Sequence, residues 1–289
     1  LRVERSCKQL EKIENIGIVL KPDSPELKNT FLDIKKLFSK NSINIILEKK
    51  SANMIGEIGK DFDELCKEVD FIISVGGDGT LLGVARKAFL YDLPVLGINL
   101  GTLGFLTDLN FDDLEEFIKD LLVKDYKISP RMIIEGKIED KNFIAFNDIV
   151  ISRKNLSSML EISAKIDKKP FNKYFGDGLI VCTPSGSTAY NLSVGGPIVY
   201  PLTNAFIITP IAPHSLTQRP IVVPADFEIE FKVPYDEATI IVDGQEFYEL
   251  KKGEFISIKI AKEQAKMLHR TSRDFFEVLS EKLRWGNLT

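Results

Sequence analysis

The hydrophobic positions change their period partway along the chain. Ile16-Gly17-Ile18-Val19-Leu20 is a short apolar run that reads as a strand. Pro25 then stands well for the first turn of a helix, in which Leu27, Phe31, Ile34 and Phe38 recur at helical spacing. Asn44 to Leu47 and Phe71 to Val75 read as the next two strands. A helix follows over Leu81 to Leu90, a strand over Pro94 to Ile98, and a helix marked by Leu114, Phe117, Ile118 and Leu121. Near-continuous apolar strands alternating with helices predict a parallel sheet covered on both faces.

Beyond about residue 125 the period becomes two. Leu160, Ile162, Ala164 and Ile166 alternate with Glu161, Ser163, Lys165 and Asp167. Ile229, Phe231 and Val233 repeat the pattern, as do Ile256, Ile258 and Ile260. With Asp-Gly turns read at 177–178 and 243–244, these predict antiparallel sheets packed as a sandwich. Ser272 to Leu283 reads as a closing amphipathic helix. The expected layout is therefore an α/β domain over 1–125, an all-β domain over 126–265, and a C-terminal helix within 266–289 that packs back on the first domain.

Composition narrows the function more than the fold. The 289 residues carry 38 Lys and Arg against 42 Asp and Glu, a net charge of -4, so no broad basic field exists to hold nucleic acid. No apolar run approaches a membrane-spanning length, and the opening LRVERSCKQLEKIENIG lacks the apolar core of a secretory signal. Cys7, Cys66 and Cys182 are far apart and suggest neither a disulfide framework nor a zinc site. With His214 and His269 the only histidines, a His-based metal cage is excluded as well. A cytoplasmic enzyme or binding protein is expected, whose chemistry rests on carboxylates, backbone amides and a borrowed metal ion.

Gly76-Gly77-Asp78-Gly79-Thr80 sits between a strand and a helix, where open α/β sheets bind ligands. Gly76, Gly77, Gly79 and Thr80 make a candidate phosphate loop, because glycines admit a phosphate to the backbone and the helix presents unpaired N–H groups. Asp78 cannot attract phosphate, but it can take a proton from an attacking hydroxyl or bind Mg²⁺. The string fits neither a Walker A loop nor a dinucleotide fingerprint. GINLGTLGFLT at 97–107 adds a second glycine-rich strand exit. Asn147-Asp148 stands at the mouth of a strand, and GDGLIVCTPSGSTAYNLSVGGP at 176–197 joins a carboxylate to a loop of small hydroxyls.

GGDGT resembles the nucleotide-binding loop of diacylglycerol, sphingosine and NAD kinases, and alone it leaves the acceptor open. Taken with GINLGTLGFLT, FNDIVISR, GDGLIVCTPSGSTAYNLSVGGPIV and PHSLTQRPIVV, it resembles the NAD kinase family from about residue 71 to 250. The resemblance implies a Rossmann-like N-terminal domain, a β-sandwich C-terminal domain and Mg²⁺-dependent phosphoryl transfer from ATP to the adenosine-side 2′-hydroxyl of NAD. A lipid kinase and a non-catalytic nucleotide sensor are the alternatives.

Residue by residue, the resemblance gives Asp78 as proton acceptor, with Gly79 beside it at NAD. Asn147 and Asp148 match a pair that hydrogen-bonds NAD, and Asp177 matches the carboxylate at its nicotinamide half. Ser185, Thr188, Ala189, Tyr190, Asn191, Leu192 and Ser193 match the loop around the adenine, and Ala212 and Gln245 match further contacts. Asp148 stands where many members have Glu, Ser185 where many have Thr, and Phe175 where an arginine is frequent. These departures bear on affinity and on NAD-versus-NADH preference. The family also implies a homodimer or homotetramer in which a neighbouring subunit helps close the site. On sequence grounds Asp78→Asn is expected to keep the shape and remove only the acceptor.

Overall fold

A computed structural model describes residues 9–101, 104–107, 109–155 and 158–285. Contacts divide the chain into two compact units, 1–130 with 265–289, and 131–264.

In the first unit the strands are β1 (Asn15–Leu20), β2 (Asn44–Leu47), β3 (Phe71–Gly76), β4 (Pro94–Asn99), β5 (Leu109–Asn110) and β6 (Tyr126–Arg131). Between them run α1 (Lys28–Ser39), α2 (Lys49–Ile55), α3 (Phe62–Leu65), α4 (Asp78–Phe89) and α5 (Leu114–Leu122). Pairings β1–β2, β1–β3, β3–β4 and β4–β5 are all parallel. Every residue of β3 and β4 is buried, as strands covered on both faces must be. α4 lies close on the sheet because position 97 is glycine: a Cβ there would stand 2.6 Å from Leu81 Cδ2.

The second unit is antiparallel. Its strands are β7 (Ile134–Ile138), β8 (Lys141–Ala145), β9 (Asp148–Arg153), β10 (Leu160–Ile166), β11 (Lys169–Gly176), β12 (Gly178–Cys182), β13 (Ala205–Ile211), β14 (Ile221–Pro224), β15 (Ile229–Lys232), β16 (Ala238–Val242), β17 (Glu246–Leu250) and β18 (Phe255–Ile260), with one helical turn, α6 (Tyr190–Ser193). They form two six-stranded sheets, ordered β11-β10-β15-β18-β7-β8 and β14-β13-β12-β9-β16-β17. Alternate residues of both sheets, among them Ile162, Phe231 and Ile256 from one and Ile151, Leu179 and Ile240 from the other, fill a single core. This is the sandwich expected from the period of two.

Two local features differ from the sequence reading. The C-terminal segment begins with a strand, β19 (Ala265–Arg270), which enters the first unit's sheet parallel to β4 before the helix α7 (Phe275–Leu283). The first sheet therefore runs β2-β1-β3-β4-β19-β6, with β5 off β4. At Asp177-Gly178 the chain does not turn back on itself: β11 ends in one sheet of the sandwich and β12 starts in the other. Gly178 is needed for close approach, since a Cβ would lie 2.2 Å from the Ile151 carbonyl oxygen. The Asp243-Gly244 turn is a true hairpin, with both residues left-handed and Gln245 N–H bonded to the Val242 carbonyl at 2.9 Å.

Candidate active site

Asp78 is the first residue of α4, with Gly77 at the N-cap. Its Oδ1 accepts from Thr107 N–H and Thr107 Oγ1, both at 2.9 Å. Its Oδ2 accepts from Phe105 N–H at 2.8 Å and Leu106 N–H at 3.2 Å. The carboxylate is thus held on four donors from one short loop, and position 104 must be glycine because a Cβ would stand 1.9 Å from Oδ1. Thr102 and Leu103 of that loop lie outside the described residues. A Cβ at Gly76 would strike Thr80 Oγ1 at 2.6 Å, so that glycine serves packing. A Cβ at Gly77 or Gly79 would meet nothing within 4 Å among the described residues. Those two glycines keep space open at a helix N-terminus, where an anion is favoured.

In the second unit, Asn147 and Asp148 open β9 beside the ends of β12 and β16. Thr183 staples the turn: its N–H donates to the Asn147 carbonyl at 2.8 Å and its hydroxyl to the Phe146 carbonyl at 2.7 Å. The same hydroxyl accepts Gly186 N–H at 3.0 Å, and a Cβ on Gly186 would lie 2.2 Å from the Asn147 carbonyl oxygen. Asp243 holds the other side, accepting N–H groups of Phe146, Asn147 and Asp148 at 2.9, 2.7 and 3.0 Å. Asn147 and Ser185 come together here, and the buried Asn147 Oδ1 and Ser185 Oγ have no hydrogen-bond partner among the described residues. Burial raises the Asp148 carboxyl from its ordinary 3.8 to about 7, helped by the Asp243 charge. Burial first, then Asp148, also pushes the Cys182 thiol well up.

The rest of the candidate loop divides by role. Asn191 is fully buried, donating to the Ser187 and Pro197 carbonyls at 3.1 Å each and accepting Thr209 Oγ1 at 2.6 Å. Its amide is engaged within the fold, which fixes α6. Tyr190 is 45% exposed, so its ring has a free face. Ser185 and Thr188 share a helical turn, Thr188 Oγ1 reaching the Ser185 carbonyl at 3.4 Å. Ala189, Leu192 and Ser193 frame Tyr190 and Asn191 along the chain. Gln245 completes the Asp243 hairpin, on the same end of the sheet as Asp148.

Asp177 is placed elsewhere. Gly178 pairs with Ser152 and Cys182 with Asp148, so Asp177 and Asp148 stand at opposite ends of β12, roughly 16 Å apart along the strand. Asp177 pairs with the Arg153 guanidinium at 3.0 Å and bonds the Ile211 carbonyl through its N–H at 3.0 Å, which brings it beside Ala212. Ala212 is left-handed, at φ 42°. A cleft of about 310 Å³ is lined by Arg153, Lys154, Asn155, Ser158, Met159, Leu160, Asp236 and Glu237; Arg153 is the ion-pair partner of Asp177, and none of these is an expected site residue.

Sequence reasoning missed the supports. Asp243 was visible in a turn string, yet nothing linear ties it to residues 146–148. Thr183, Thr107 and Arg273 likewise act through contacts distant in sequence. Arg273 donates Nη1 to the Thr107 carbonyl at 3.0 Å and Nη2 to the Phe105 carbonyl at 2.7 Å.

Comparison with known proteins meets this geometry. Residues 16–126 match the ATP-NAD kinase N-terminal domain, and residues 146–270 match the ATP-NAD kinase C-terminal domain. An NAD kinase of Sulfurimonas denitrificans is 47% identical over 278 residues, covering 95% of this chain and 98% of that one. An NAD kinase of Wolinella succinogenes is 45% identical over 283 residues, covering 96% and 98%. Among solved structures, yeast NADH kinase complexed with NADH superposes with a TM-score of 0.88 at 26% identity, covering 96% of this chain and 89% of that one. An NAD kinase from Archaeoglobus fulgidus in complex with ATP gives 0.75 at 27% identity, covering 93% and 98%. With both domain models matched and relatives above 40% identity across nearly its whole length, the chain belongs to the NAD kinase family.

Proposed function

We propose that this chain transfers the terminal phosphoryl group of ATP to the 2′-hydroxyl of the adenosine ribose of NAD, forming NADP. Family membership supplies the reaction class, and one observation fits it to these residues. Asp78 is a carboxylate fixed at the start of a twelve-residue helix, between two glycines that leave open space. Gly77, Gly79 and the first amides of α4 are assigned to phosphate, and Asp78 to the ribose hydroxyl.

Phosphoryl transfer passes through a loose transition state, so positioning and charge neutralisation dominate. Asp78 then orients the hydroxyl and accepts its proton late in the reaction. Each carboxylate oxygen already accepts two hydrogen bonds, and the longest is that from Leu106 N–H. Oδ2 is therefore the atom at which the ribose hydroxyl exchanges for an amide. Asn147, Asp148, Ser185, Thr188, Ala189, Tyr190, Asn191, Leu192, Ser193 and Gln245 are assigned to NAD. The unpartnered Asn147 Oδ1 and Ser185 Oγ support this, since leaving such buried groups unmet costs about 1–3 kcal/mol each and a ligand would satisfy them. Asn191 contributes by shaping the loop, and Tyr190 by offering a face to the adenine.

Among the described residues no group of three or more His, Cys, Asp or Glu side chains could hold a metal ion. Mg²⁺ fits here as an ion carried by the nucleotide's phosphates, whose charge it would neutralise. Asp177 and Ala212, at the far end of β12, are assigned to the nicotinamide half bound by a neighbouring copy, which is why a homodimer or homotetramer is proposed. No helix among the described residues is long and apolar enough to cross a membrane, and Cys66 and Cys182 are buried and free. A cytoplasmic setting suits such thiols.

The test is purified protein with NAD, ATP and Mg²⁺, with NADP read by an NADP-specific dehydrogenase. NADP should form and EDTA should abolish it, while diacylglycerol should not be phosphorylated. No product from NAD or NADH, with either ATP or polyphosphate, would reduce the chain to a binding protein.

A further inference from the structure

The loop that holds Asp78 is itself held from behind. The N–H groups of Phe105, Leu106 and Thr107 point to the Asp78 carboxylate, while the carbonyls of Phe105 and Thr107 receive the two terminal nitrogens of Arg273. The loop has no helix or strand of its own over 104–107, and Gly101 and Gly104 on its N-terminal side leave it little intrinsic stiffness. Its conformation therefore depends on the groups that tie it at each side. Arg273 is well placed for this because its own backbone is anchored. Its N–H bonds the Arg270 carbonyl at 3.2 Å, and its carbonyl accepts Lys127 Nζ at 3.4 Å. The next residue, Asp274, caps α7 by accepting from Phe276 and Glu277 N–H groups at 2.7 and 3.1 Å. The planar guanidinium fork spans two carbonyls at once, which a lysine ammonium on a flexible stem cannot do in the same fixed geometry.

We infer that Arg273 is a positioning residue for phosphoryl transfer: from the joint between β19 and α7 it locks the 105–107 loop, and through that loop the Asp78 carboxylate. The inference rests on Asp78 being the proton acceptor. Loss of the clamp lets the loop drift, and a misplacement of about 1 Å at a reacting group costs on the order of 100-fold. The C-terminal segment thus has a part in the chemistry as well as in the sheet.

The experiment compares wild type, Arg273→Met, Arg273→Lys, Asp78→Asn and the Arg273→Met/Asp78→Asn double variant in the NADP assay, with thermal melts of each. Arg273→Met keeps the apolar stem and removes both donors. Its kcat should fall roughly 10- to 100-fold while KM for NAD and ATP stays within about threefold. Arg273→Lys should recover part of that loss. Because Arg273 acts through Asp78, its replacement should change the residual rate of Asp78→Asn by less than about threefold. Three outcomes would overturn the inference: kcat of Arg273→Met within about twofold of wild type, a loss confined to KM, or the same fold-loss in the Asp78→Asn background. A drop that follows Tm alone, with no rescue by lysine, would also overturn it. An active wild type with a silent Arg273→Met would sink the clamp and leave the kinase reading intact. An inactive wild type would sink the kinase reading, and the clamp's role in that step with it.

Discussion

Asp148 is the residue whose surroundings say most about pH. Its carboxyl is buried beneath the ends of three strands, faces the Asp243 carboxylate and the Cys182 thiol, and titrates at about 7 instead of 3.8. An acid whose pKa rises on folding binds its proton more tightly in the folded chain, so stability falls as pH rises through the window from about 4 to about 7. Asp148→Asn removes that dependence. Relative to wild type, the variant should gain a few kcal/mol in urea unfolding at pH 8 compared with pH 5. An equal difference at both pH values would contradict the burial of a charge there. Asp243 makes a second prediction. Asp243→Ala strands three buried N–H groups and puts alanine in a left-handed turn, so it should cost at least about 3 kcal/mol in denaturant unfolding. Asp243→Asn keeps an oxygen for the Asn147 and Asp148 amides and tolerates the turn, though its NH2 faces the Phe146 N–H, so it should cost roughly 1–2 kcal/mol less than alanine. If the two variants were equally destabilised, the hydrogen-bond account of this turn would fail. At this scale the sequence showed chemistry and hid its support. Asp78 and Asn147 stand in recognisable strings, whereas the three-amide grip of Asp243 joins residues nearly a hundred positions apart.

Elements were legible where one periodicity governed a whole segment. β3, α4 and β4 follow directly from apolar runs bounded by glycine and proline, and α4 starts at the residue that matters, because Gly77 has the extended backbone of an N-cap. β19 was illegible for the opposite reason. Its six residues, AKMLHR, mix buried and polar side chains with too little alternation to mark a strand, and only their place between β4 and β6 makes them one. The Asp177-Gly178 pair has the composition of a hairpin, yet it is a crossing between sheets, because the glycine there answers to the Ile151 carbonyl and not to a positive φ. β11 is an edge strand that leaves Phe171 and Phe175 each 41% exposed. The strand's backbone at Lys173 and Phe175 is already bonded by Gln218 and His214, so it is the two rings that stay open. We propose that in the homo-oligomer a second copy packs on these rings, so Phe171→Glu/Phe175→Glu should yield a monomer by light scattering after size-exclusion chromatography. A variant that keeps the wild-type mass would place the subunit contact elsewhere.

At the scale of the whole molecule, two folding patterns each bring a distinct contribution. The parallel unit fixes a carboxylate at a helix start beside open glycines, and the antiparallel unit fixes a turn with unmet buried polar atoms. In the proposed reaction Asp78 takes the proton of the attacking hydroxyl. Because each Asp78 oxygen accepts two bonds, an asparagine there sets an amide against N–H donors, so Asp78→Asn perturbs the loop as well as removing the acceptor. Thr107→Val supplies the control. It deletes two loop hydrogen bonds, from Gly104 N–H to Oγ1 and from Oγ1 to Asp78, while leaving the carboxylate in place. The decisive measurement is kcat for NADP formation by wild type, Thr107→Val and Asp78→Asn under saturating NAD, ATP and Mg²⁺. If Asp78 is the acceptor, Asp78→Asn should lose roughly 10²–10⁴-fold and Thr107→Val no more than about tenfold. Equal losses in the two variants, or an Asp78→Asn enzyme near the wild-type rate, would contradict it.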